Sequence, residues 1–425
     1  MTLSLIISFS CLTLPRQERP DSPFSGNEAA PNLTPPHYPA SNVSSGLGPQ
    51  EPSGELADLG VVATVPVGAG PLLSSFDPAN GFVYVPSSES GSVSVVDGTS
   101  LLARIPIGTS SYSTVYDPLN GYVYAVDYGN STVSVILGTT VVATVAVENS
   151  PFGIVCDGSN GDVYVLNYDA GTADVLNGST ILAVVPVGTQ PYSGVFDPGN
   201  GLVYVASYGS NWVSVLNGTT VVAYVPVGIN PTNIVYDASN GELYVADSGS
   251  GDVRVIEGTS EVGTIPTGLN PRFGVYDDAN GFVYVSNAGG DTVSVISGTT
   301  IIASVLVGLS PYFPAYDRVT GDIYVPNLDS DTVSVVAGTE VVAIVPVGSE
   351  PAYATYDVAN GDVYISNELS SSVSVIGVLI PSPIGLPLVD FVLIGIVIVV
   401  AELGLVFVIR YRQHHADSGP PAPPP

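Results

Sequence analysis

A period of 40 residues runs through this sequence without a single insertion or deletion. Each copy carries an aspartate, a glycine four positions later and a tyrosine three positions after the glycine. The aspartates and glycines are Asp77, Gly81, Asp117, Gly121, Asp157, Gly161, Asp197, Gly201, Asp237, Gly241, Asp277, Gly281, Asp317, Gly321, Asp357 and Gly361. The tyrosines are Tyr84, Tyr124, Tyr164, Tyr204, Tyr244, Tyr284, Tyr324 and Tyr364. Periods of about 20–50 residues are typical of repeat architectures, so we expect an array of eight similar units.

Each repeat contains four segments with the pattern of β-strands. The first ends at the aspartate, the second alternates as in 283–285, the third is Val-Ser-Val as in 293–295, and the fourth is longer, as in 221–227. Alternation with a period of two and β-branched residues favour strands. Four-stranded units of about 40 residues predict propeller blades. We therefore predict an all-β fold, an eight-bladed β-propeller over residues 58–378, with seven blades as the alternative.

The order of the segments predicts how the ring closes. Residues 61–67 form a fourth segment with no blade before it, and the last repeat stops after its third segment, 373–376. We expect the N-terminal segment to complete the last blade. The fourth segment also has proline at its sixth position in six copies, and proline cannot donate to a strand ladder. This strand is therefore expected at the outer edge.

The repeated Asp-x-x-Asn-Gly element predicts a tight turn between the first and second strands. Aspartate accepts hydrogen bonds from nearby backbone N–H groups, and Asn-Gly supplies positive φ. Only Thr320 replaces the asparagine. We interpret the eight aspartates and glycines as structural turn residues, because an enzyme needs one site unlike the rest.

Several of these elements resemble a known family. Residues 284–287 (Tyr-Val-Ser-Asn), 324–327 (Tyr-Val-Pro-Asn) and 364–367 (Tyr-Ile-Ser-Asn), with the Val-Ser-Val and Val-Pro-Val-Gly elements, resemble the YVTN family of β-propeller repeats. The resemblance covers roughly residues 58–377. It implies a propeller of the kind found in archaeal and bacterial surface proteins, including surface-layer-like proteins. It implies no catalytic residues.

The composition disfavours several functions. The net charge is −30 and all eight basic residues are arginine, which argues against nucleic acid as a partner. The two cysteines, Cys11 and Cys156, form no disulfide framework. The histidines lie outside the repeats, which argues against a catalytic triad or an imidazole-ligated metal in the propeller; they are His37, His414 and His415.

One column of the repeat varies where its neighbours are nearly constant. It stands at the expected start of the innermost strand, where propellers usually bind ligands. We predict a binding rim of exposed aromatic and cationic side chains, suited to stacking on sugar or peptide: Tyr112, Phe152, Tyr192, Arg272 and Tyr312. The other members are Leu72, Thr232 and Ala352. The alternative is that these side chains simply fill the channel.

Carboxylate-rich loops between the second and third strands offer hard oxygen ligands. They are 127–130, 247–252 and 327–331. Calcium prefers such ligands, but no loop has a full calcium-binding pattern, so turn capping is the simpler interpretation. We predict no cofactor and no metal, with calcium as the alternative.

The flanking segments predict a membrane protein. Residues 1–14 are expected to be a signal peptide, 15–57 a disordered Pro/Ser-rich spacer and 379–386 a linker. Residues 387–409 are apolar enough to span a bilayer as a helix. Glu402 and Gly395 lie on one face of it and predict a helix–helix partner. The alternative is that Glu402 is protonated or extends its carboxylate toward the inner membrane surface.

Arg410 and Arg412 follow the span, which places the Pro-rich tail 410–425 in the cytoplasm and the propeller outside. Glycosylation sequons agree with this orientation; they begin at Asn32, Asn42, Asn130, Asn177 and Asn217. A tail-anchored cytoplasmic propeller is the alternative.

Together these features predict a single-pass, membrane-anchored cell-surface propeller that is not an enzyme. We expect a binding, adhesion or envelope-interaction module whose partner is an extracellular protein or glycan. The alternatives are a cation-dependent hydrolase or lyase using central carboxylates, and a structural component of an envelope lattice.

Overall fold

The computed structural model describes residues 59–379. Within this range the chain forms eight four-stranded sheets whose neighbouring strands are antiparallel. The prediction of an all-β, eight-bladed propeller is confirmed, and the seven-bladed alternative is wrong. None of the described residues forms a helix long and apolar enough to cross a membrane. The expected span 387–409 lies outside the described residues, as do the segments 1–14 and 410–425.

The strands follow one another through the blades from the channel outward. The first strands are β2 (Ser75–Asp77), β6 (Ser111–Tyr116), β10 (Pro151–Asp157), β14 (Pro191–Asp197), β18 (Pro231–Tyr236), β22 (Pro271–Asp277), β26 (Ala315–Tyr316) and β30 (Pro351–Tyr356). The second strands are β3 (Phe82–Ser87), β7 (Val123–Asp127), β11 (Asp162–Asn167), β15 (Leu202–Ser207), β19 (Glu242–Asp247), β23 (Phe282–Asn287), β27 (Asp322–Asn327) and β31 (Val363–Asn367). The third strands are β4 (Ser92–Asp97), β8 (Thr132–Leu137), β12 (Thr172–Asn177), β16 (Trp212–Asn217), β20 (Asp252–Glu257), β24 (Thr292–Ser297), β28 (Thr332–Ala337) and β32 (Ser372–Val378). The fourth strands are β5 (Ser100–Pro106), β9 (Thr140–Ala146), β13 (Thr180–Pro186), β17 (Thr220–Pro226), β21 (Ser260–Pro266), β25 (Thr300–Leu306), β29 (Glu340–Pro346) and, in the last blade, β1 (Leu59–Pro66).

First strands of successive blades lie beside one another around the channel. The Phe313 N–H donates to the Ala352 carbonyl (3.0 Å), and the Ala354 N–H donates to the Phe313 carbonyl (3.1 Å). The ring also closes between the first and last blades, where Ser366 Oγ donates to the Leu72 carbonyl (3.0 Å). In each blade the fourth strand forms the edge of the sheet opposite the first strand. The prediction that the proline-containing strand is the outer edge strand is therefore confirmed.

The N-terminal strand completes the last blade. β1 pairs antiparallel with β32, in a register that sets Thr64 opposite Ser374 and Pro66 opposite Ser372. One step further, the Val67 N–H donates to the Ser371 carbonyl (3.0 Å). The predicted ring closure is confirmed.

The core lies between adjacent blades. Val175 of a third strand packs with valines of the following blade, such as Val203. Val165 of the second strand beside it packs with valines of the preceding blade, such as Val133. The repeated tyrosines are buried there. The Tyr84 hydroxyl donates to the carbonyl of Gly138 in the following blade (3.0 Å), and Tyr164 does the same to Gly218 (3.1 Å). Tyr84 and Tyr164 therefore each link two blades by packing and by a hydrogen bond.

The repeated aspartates cap their own turns. Asp77 Oδ1 accepts from the Ala79 N–H (2.8 Å), and the Gly81 N–H donates to the Asp77 carbonyl (2.9 Å). Gly81 has φ +77°, which glycine adopts without strain. The seven other turns repeat this pattern. At the exceptional copy, the Thr320 hydroxyl donates to Asp317 Oδ2 (2.9 Å).

The same turns receive a tyrosine from the next blade. The Tyr316 hydroxyl, at the end of β26, donates to Asp278 Oδ1 of the preceding turn (2.8 Å). Burial, the largest cause, and then the turn aspartate of the preceding blade raise the pKa of Tyr116, beside Asp77, and of Tyr236, beside Asp197. Tyr316 and Asp278 thus link two neighbouring blades beside the turn that Asp277 caps. Cys156 takes the place of tyrosine in one blade, and burial raises the pKa of its thiol to about 12.

Candidate functional site

The two faces of the propeller differ in what they display. First strands run toward the Asp-Asn-Gly turns and second strands run back, so the loops that precede each first strand lie at the opposite end of the channel. We call the end with the aspartate turns the turn face. We call the opposite end, which holds loops such as 148–150 and 168–171, the mouth.

The predicted binding residues stand at the mouth, at the start of the first strands. Phe152, Tyr192 and Tyr312 are only 7%, 6% and 4% exposed. Tyr112 and Arg272 are half-buried. The expectation of exposed side chains is therefore wrong for the three buried residues, because the strands converge toward the channel and the rings pack on one another. That these residues bind a ligand stays a prediction.

A second column of the repeat also lines the mouth, and sequence reasoning missed it. Tyr128, Tyr168 and Tyr208 directly follow the second strands of three consecutive blades, and all three are half-buried. Backbone bonds position them, since the Tyr168 N–H donates to the Ser150 carbonyl (2.8 Å) and the Tyr208 N–H to the Gln190 carbonyl (2.9 Å). Their spacing of 40 residues is visible in the sequence and could have revealed them.

The two columns combine into one run of rings, which we call the aromatic arc. The arc consists of Tyr112, Tyr128, Phe152, Tyr168, Tyr192 and Tyr208. Its ring centroids lie 5.2 Å apart for Tyr112 and Phe152, and 4.8 Å apart for Phe152 and Tyr192. Tyr128, Tyr168 and Tyr208 each lie 5.2–5.9 Å from the ring of their own blade's first strand. Such separations are those of favourable aromatic pairs.

The other side of the channel holds a second aromatic group, which we call the inner cluster. Its members are Phe273, Tyr312, Phe313 and Tyr353. The Phe273 ring lies 4.8 Å from Tyr312 and 4.9 Å from Phe313, and the Tyr312 and Tyr353 rings meet edge to face at 5.7 Å. Phe273 and Tyr353 are each 4% exposed, so these two rings are buried.

Arg272 stands between the two groups. Its Nη1 donates to the Tyr312 hydroxyl (3.4 Å), its Nε donates to Asn270 Oδ1 (3.3 Å), and its Cζ lies 5.9 Å from the centroid of the Tyr312 ring. Tyr192 and Tyr208 of the arc are within electrostatic range of the guanidinium. Glu368, which stands in the same repeat column as Tyr208, is within electrostatic range of Tyr112 and Tyr312.

The phenols of the arc are hydrogen-bonding groups rather than bases. Burial, the largest cause, and then the neighbouring phenols Tyr208 and Tyr128 raise the pKa of Tyr168 to about 12. Burial also raises the pKa of Tyr112. The hydroxyls of Tyr112 and Tyr168 therefore stay protonated at neutral pH. The mouth therefore contains flat apolar rings whose phenol hydroxyls can donate hydrogen bonds, together with the Arg272 guanidinium.

The carboxylate loops hold the backbone. Asp247 Oδ2 accepts from the Gly228 N–H (3.0 Å), and Asn327 Oδ1 accepts from the Gly308 N–H (3.1 Å). Asp127 Oδ1 accepts from the Thr109 N–H (3.2 Å). Within residues 59–379, no group of three or more His, Cys, Asp or Glu side chains could hold a metal ion. Calcium stays an untested alternative.

Solved structures with the same fold include several propellers. The dihydro-heme d1 dehydrogenase NirN has a TM-score of 0.58 and 15% identity, over 76% of this chain and 79% of its own. A streptogramin B lyase has a TM-score of 0.51 and 12% identity, over 76% of this chain and 97% of its own. The WD40 propeller domain of Doa1 has a TM-score of 0.52 and 11% identity, over 75% and 97%. At such identities the likeness shows the fold alone.

The chain is thus a β-propeller protein. No family model and no curated protein matches it, so membership of the YVTN family is not confirmed. The prediction that the chain is not an enzyme is wrong as drawn, because proteins similar to it in fold include a dehydrogenase and a lyase. The absence of a familiar catalytic motif from a propeller sequence does not exclude catalysis.

Proposed function

We propose that this propeller is a membrane-anchored cell-surface module that binds a glycan at its mouth, with a sugar ring lying on the aromatic arc. The observation that carries the proposal is the arc itself. Six rings from three consecutive blades make one continuous surface, whereas the remaining blades place smaller or charged side chains in the second column. A rigid array of rings with polar edges suits ligands that have an apolar face and a polar rim.

The burial gradient across the arc supports this function. Phe152 and Tyr192 are buried and support the rings above them. Tyr128, Tyr168 and Tyr208 are half-buried and expose part of their ring surface. Because the inner rings are packed, the outer rings lose little conformational entropy when a ligand stacks on them.

The position of the strand ends supports a tethered arrangement. β32 runs from the mouth toward the turn face and ends at Val378. In our proposal the span 387–409 follows within a few residues, so the turn face is directed toward the bilayer and the mouth away from it. Gly395 and Glu402 would then contact a partner helix in the membrane. The resemblance to YVTN repeats fits a place at the cell surface.

Glycan-array binding by the purified full-length chain tests the proposal. Tyr168→Ala should weaken binding by about tenfold, because truncating a central ring of a binding surface typically costs more than 1 kcal/mol. Tyr224→Ala is the matched control, since Tyr224 is a tyrosine 52% exposed on outer strand β17. Equal loss in both variants, or binding to a protein array and to no glycan, would contradict the proposal.

A second candidate function is an enzyme acting on the same ligand. The Arg272 guanidinium donates to the Tyr312 hydroxyl (3.4 Å), and the Glu368 carboxyl acts electrostatically on the same phenol. Mass spectrometry of a bound glycan incubated with the wild type and with Glu368→Gln tests this candidate. A product formed by the wild type alone favours catalysis, and an unchanged glycan counts against it.

A further inference from the structure

We propose that the bound sugar is acidic, a uronic acid whose carboxylate is held by Arg272 while its ring lies on the aromatic arc. This inference rests on the proposed function and names its ligand class. It follows from the partners of Arg272, from the other blades and from the repeat column that Arg272 shares with first-strand rings of the arc.

The partners of Arg272 are neutral. Its two side-chain hydrogen bonds go to the Asn270 amide oxygen and the Tyr312 hydroxyl. Ion pairs between two residues of 59–379 all involve Arg254, which lies 3.1 Å from Asp252 and 2.8 Å from Glu261. A guanidinium has five N–H donors, so Arg272 keeps donors for a ligand.

The blade fold does not require a positively charged side chain at the position of Arg272. The equivalent residues of three other blades are Leu72, Thr232 and Ala352, and all three are buried and uncharged. These blades have the same four strands and the same turns as the blade of Arg272. Taking a cation from water costs free energy unless an anion compensates, so a half-buried arginine that the fold does not require points to an anionic ligand.

The position of Arg272 favours a ring that carries a carboxylate, because Arg272 lies near the start of its first strand, in the same repeat column as Phe152 and Tyr192 of the arc. The guanidinium is within electrostatic range of Tyr192 and Tyr208, which belong to the arc. In our proposal, a carboxylate attached directly to a sugar ring meets Arg272 while the ring stacks on the arc. Glu368 acts electrostatically on Tyr312 and Tyr353. Arginine binds carboxylates through two parallel N–H donors, which fixes the orientation of the ring.

Matched ligand pairs test the inference on the purified full-length chain. The probes are D-glucuronate against D-glucose and D-galacturonate against D-galactose, with phenylacetate against phenylacetamide to detect an aromatic acid instead. Calorimetry or ligand-observed NMR gives the affinities. We expect each preferred acid to bind at least tenfold more tightly than its neutral partner, as is typical for a charge-assisted hydrogen bond.

Three variants separate charge at the mouth from charge elsewhere. Arg272→Gln should abolish the preference for acids, and Arg272→Lys should retain part of it. Arg104→Gln removes the same charge from outer strand β5, where Arg104 is exposed and bonds the Pro66 and Val67 carbonyls, and should leave the preference unchanged. Circular dichroism confirms that each variant keeps the wild-type fold. If Arg272→Gln unfolds, the comparison of Arg272→Lys with Arg104→Gln still decides the question.

Each outcome bears on a different claim. A neutral sugar that binds as well as its acid, with binding still lost in Tyr168→Ala, overturns the acidic ligand and leaves the glycan site standing. An acid preference confined to phenylacetate overturns the uronic acid and the glycan together. If no probe binds and no glycan binds on the array, both proposals fail.

Discussion

Replacing Val65 with aspartate should break the closure of the ring, whereas Val62→Asp should be tolerated. Val65 is 2% exposed and packs with Val83 and Val373, between the last and first blades. Val62 is 38% exposed on the same strand. Both substitutions introduce the same aspartate side chain on β1, three residues apart. They differ only in whether that side chain lies on the buried or the exposed side of the strand.

The magnitude follows from two terms. Losing the buried valine side chain costs about 1.5–3 kcal/mol. A carboxyl forced into this core stays neutral, and holding it neutral at pH 7 costs about 4 kcal/mol, because aspartate normally has a pKa of about 3.9 and each unit is worth about 1.4 kcal/mol. The sum, about 6 kcal/mol, rivals the whole stability of a typical domain, about 5–15 kcal/mol.

Urea and thermal unfolding of the full-length chain, followed by circular dichroism, measure the difference. Val65→Asp should unfold far earlier than Val62→Asp, which should stay within about 0.5 kcal/mol of the wild type. The introduced carboxyl has a raised pKa in the folded state, so the defect should grow as pH rises above about 4 and shrink toward pH 4. Similar unfolding of the two variants would refute the closure by β1.

Three further predictions concern the turns and loops. Tyr316→Phe removes the donor to Asp278 and should lower stability by about 1 kcal/mol in urea unfolding; an unchanged midpoint would argue against the inter-blade bond. Gly81→Ala meets no atom within 4 Å but has φ +77°, so it should cost about 1–2 kcal/mol through the backbone alone, and a stabilised variant would contradict this. Burial raises the pKa of Asp247 to about 8, so its folded form holds a proton that the unfolded form loses above pH 4. Asp247→Asn, which imitates Asn327 in the equivalent loop, should raise stability at pH 7 and flatten its decline between pH 4 and 8; a steeper decline would count against the raised pKa.

The fold could be predicted because the 40-residue period shows where each repeat unit begins and ends. The blades could be recognised from the 40-residue period and the strand patterns alone. Only the surplus segment 61–67 had to be assigned to a distant strand, the third strand of the last blade. Proline at the outer edge followed from its missing N–H. Each of these sequence patterns is local, and most of them recur along the repeats, which strengthens the prediction.

The candidate site was only half predicted because depth in a channel is not a local property. The sequence places Tyr192 and Tyr312 in a variable column, but only the convergence of first strands shows that they are buried. Tyr128, Tyr168 and Tyr208 belong to a loop column, and their contact with the first column depends on how successive strands fold back. The bond from Tyr316 to the preceding blade was missed for the same reason.

The closure of the last blade by β1 has a consequence for synthesis on the ribosome. β1 is made first, yet its partner β32 follows roughly 310 residues later, which takes about 15–60 s at about 5–20 residues per second. Throughout that time an apolar strand has no native neighbour, whereas each complete blade finds all four of its strands within about 40 residues. The nascent chain therefore carries an aggregation-prone edge until its final blade is made, and a chain truncated before residue 372 never covers it.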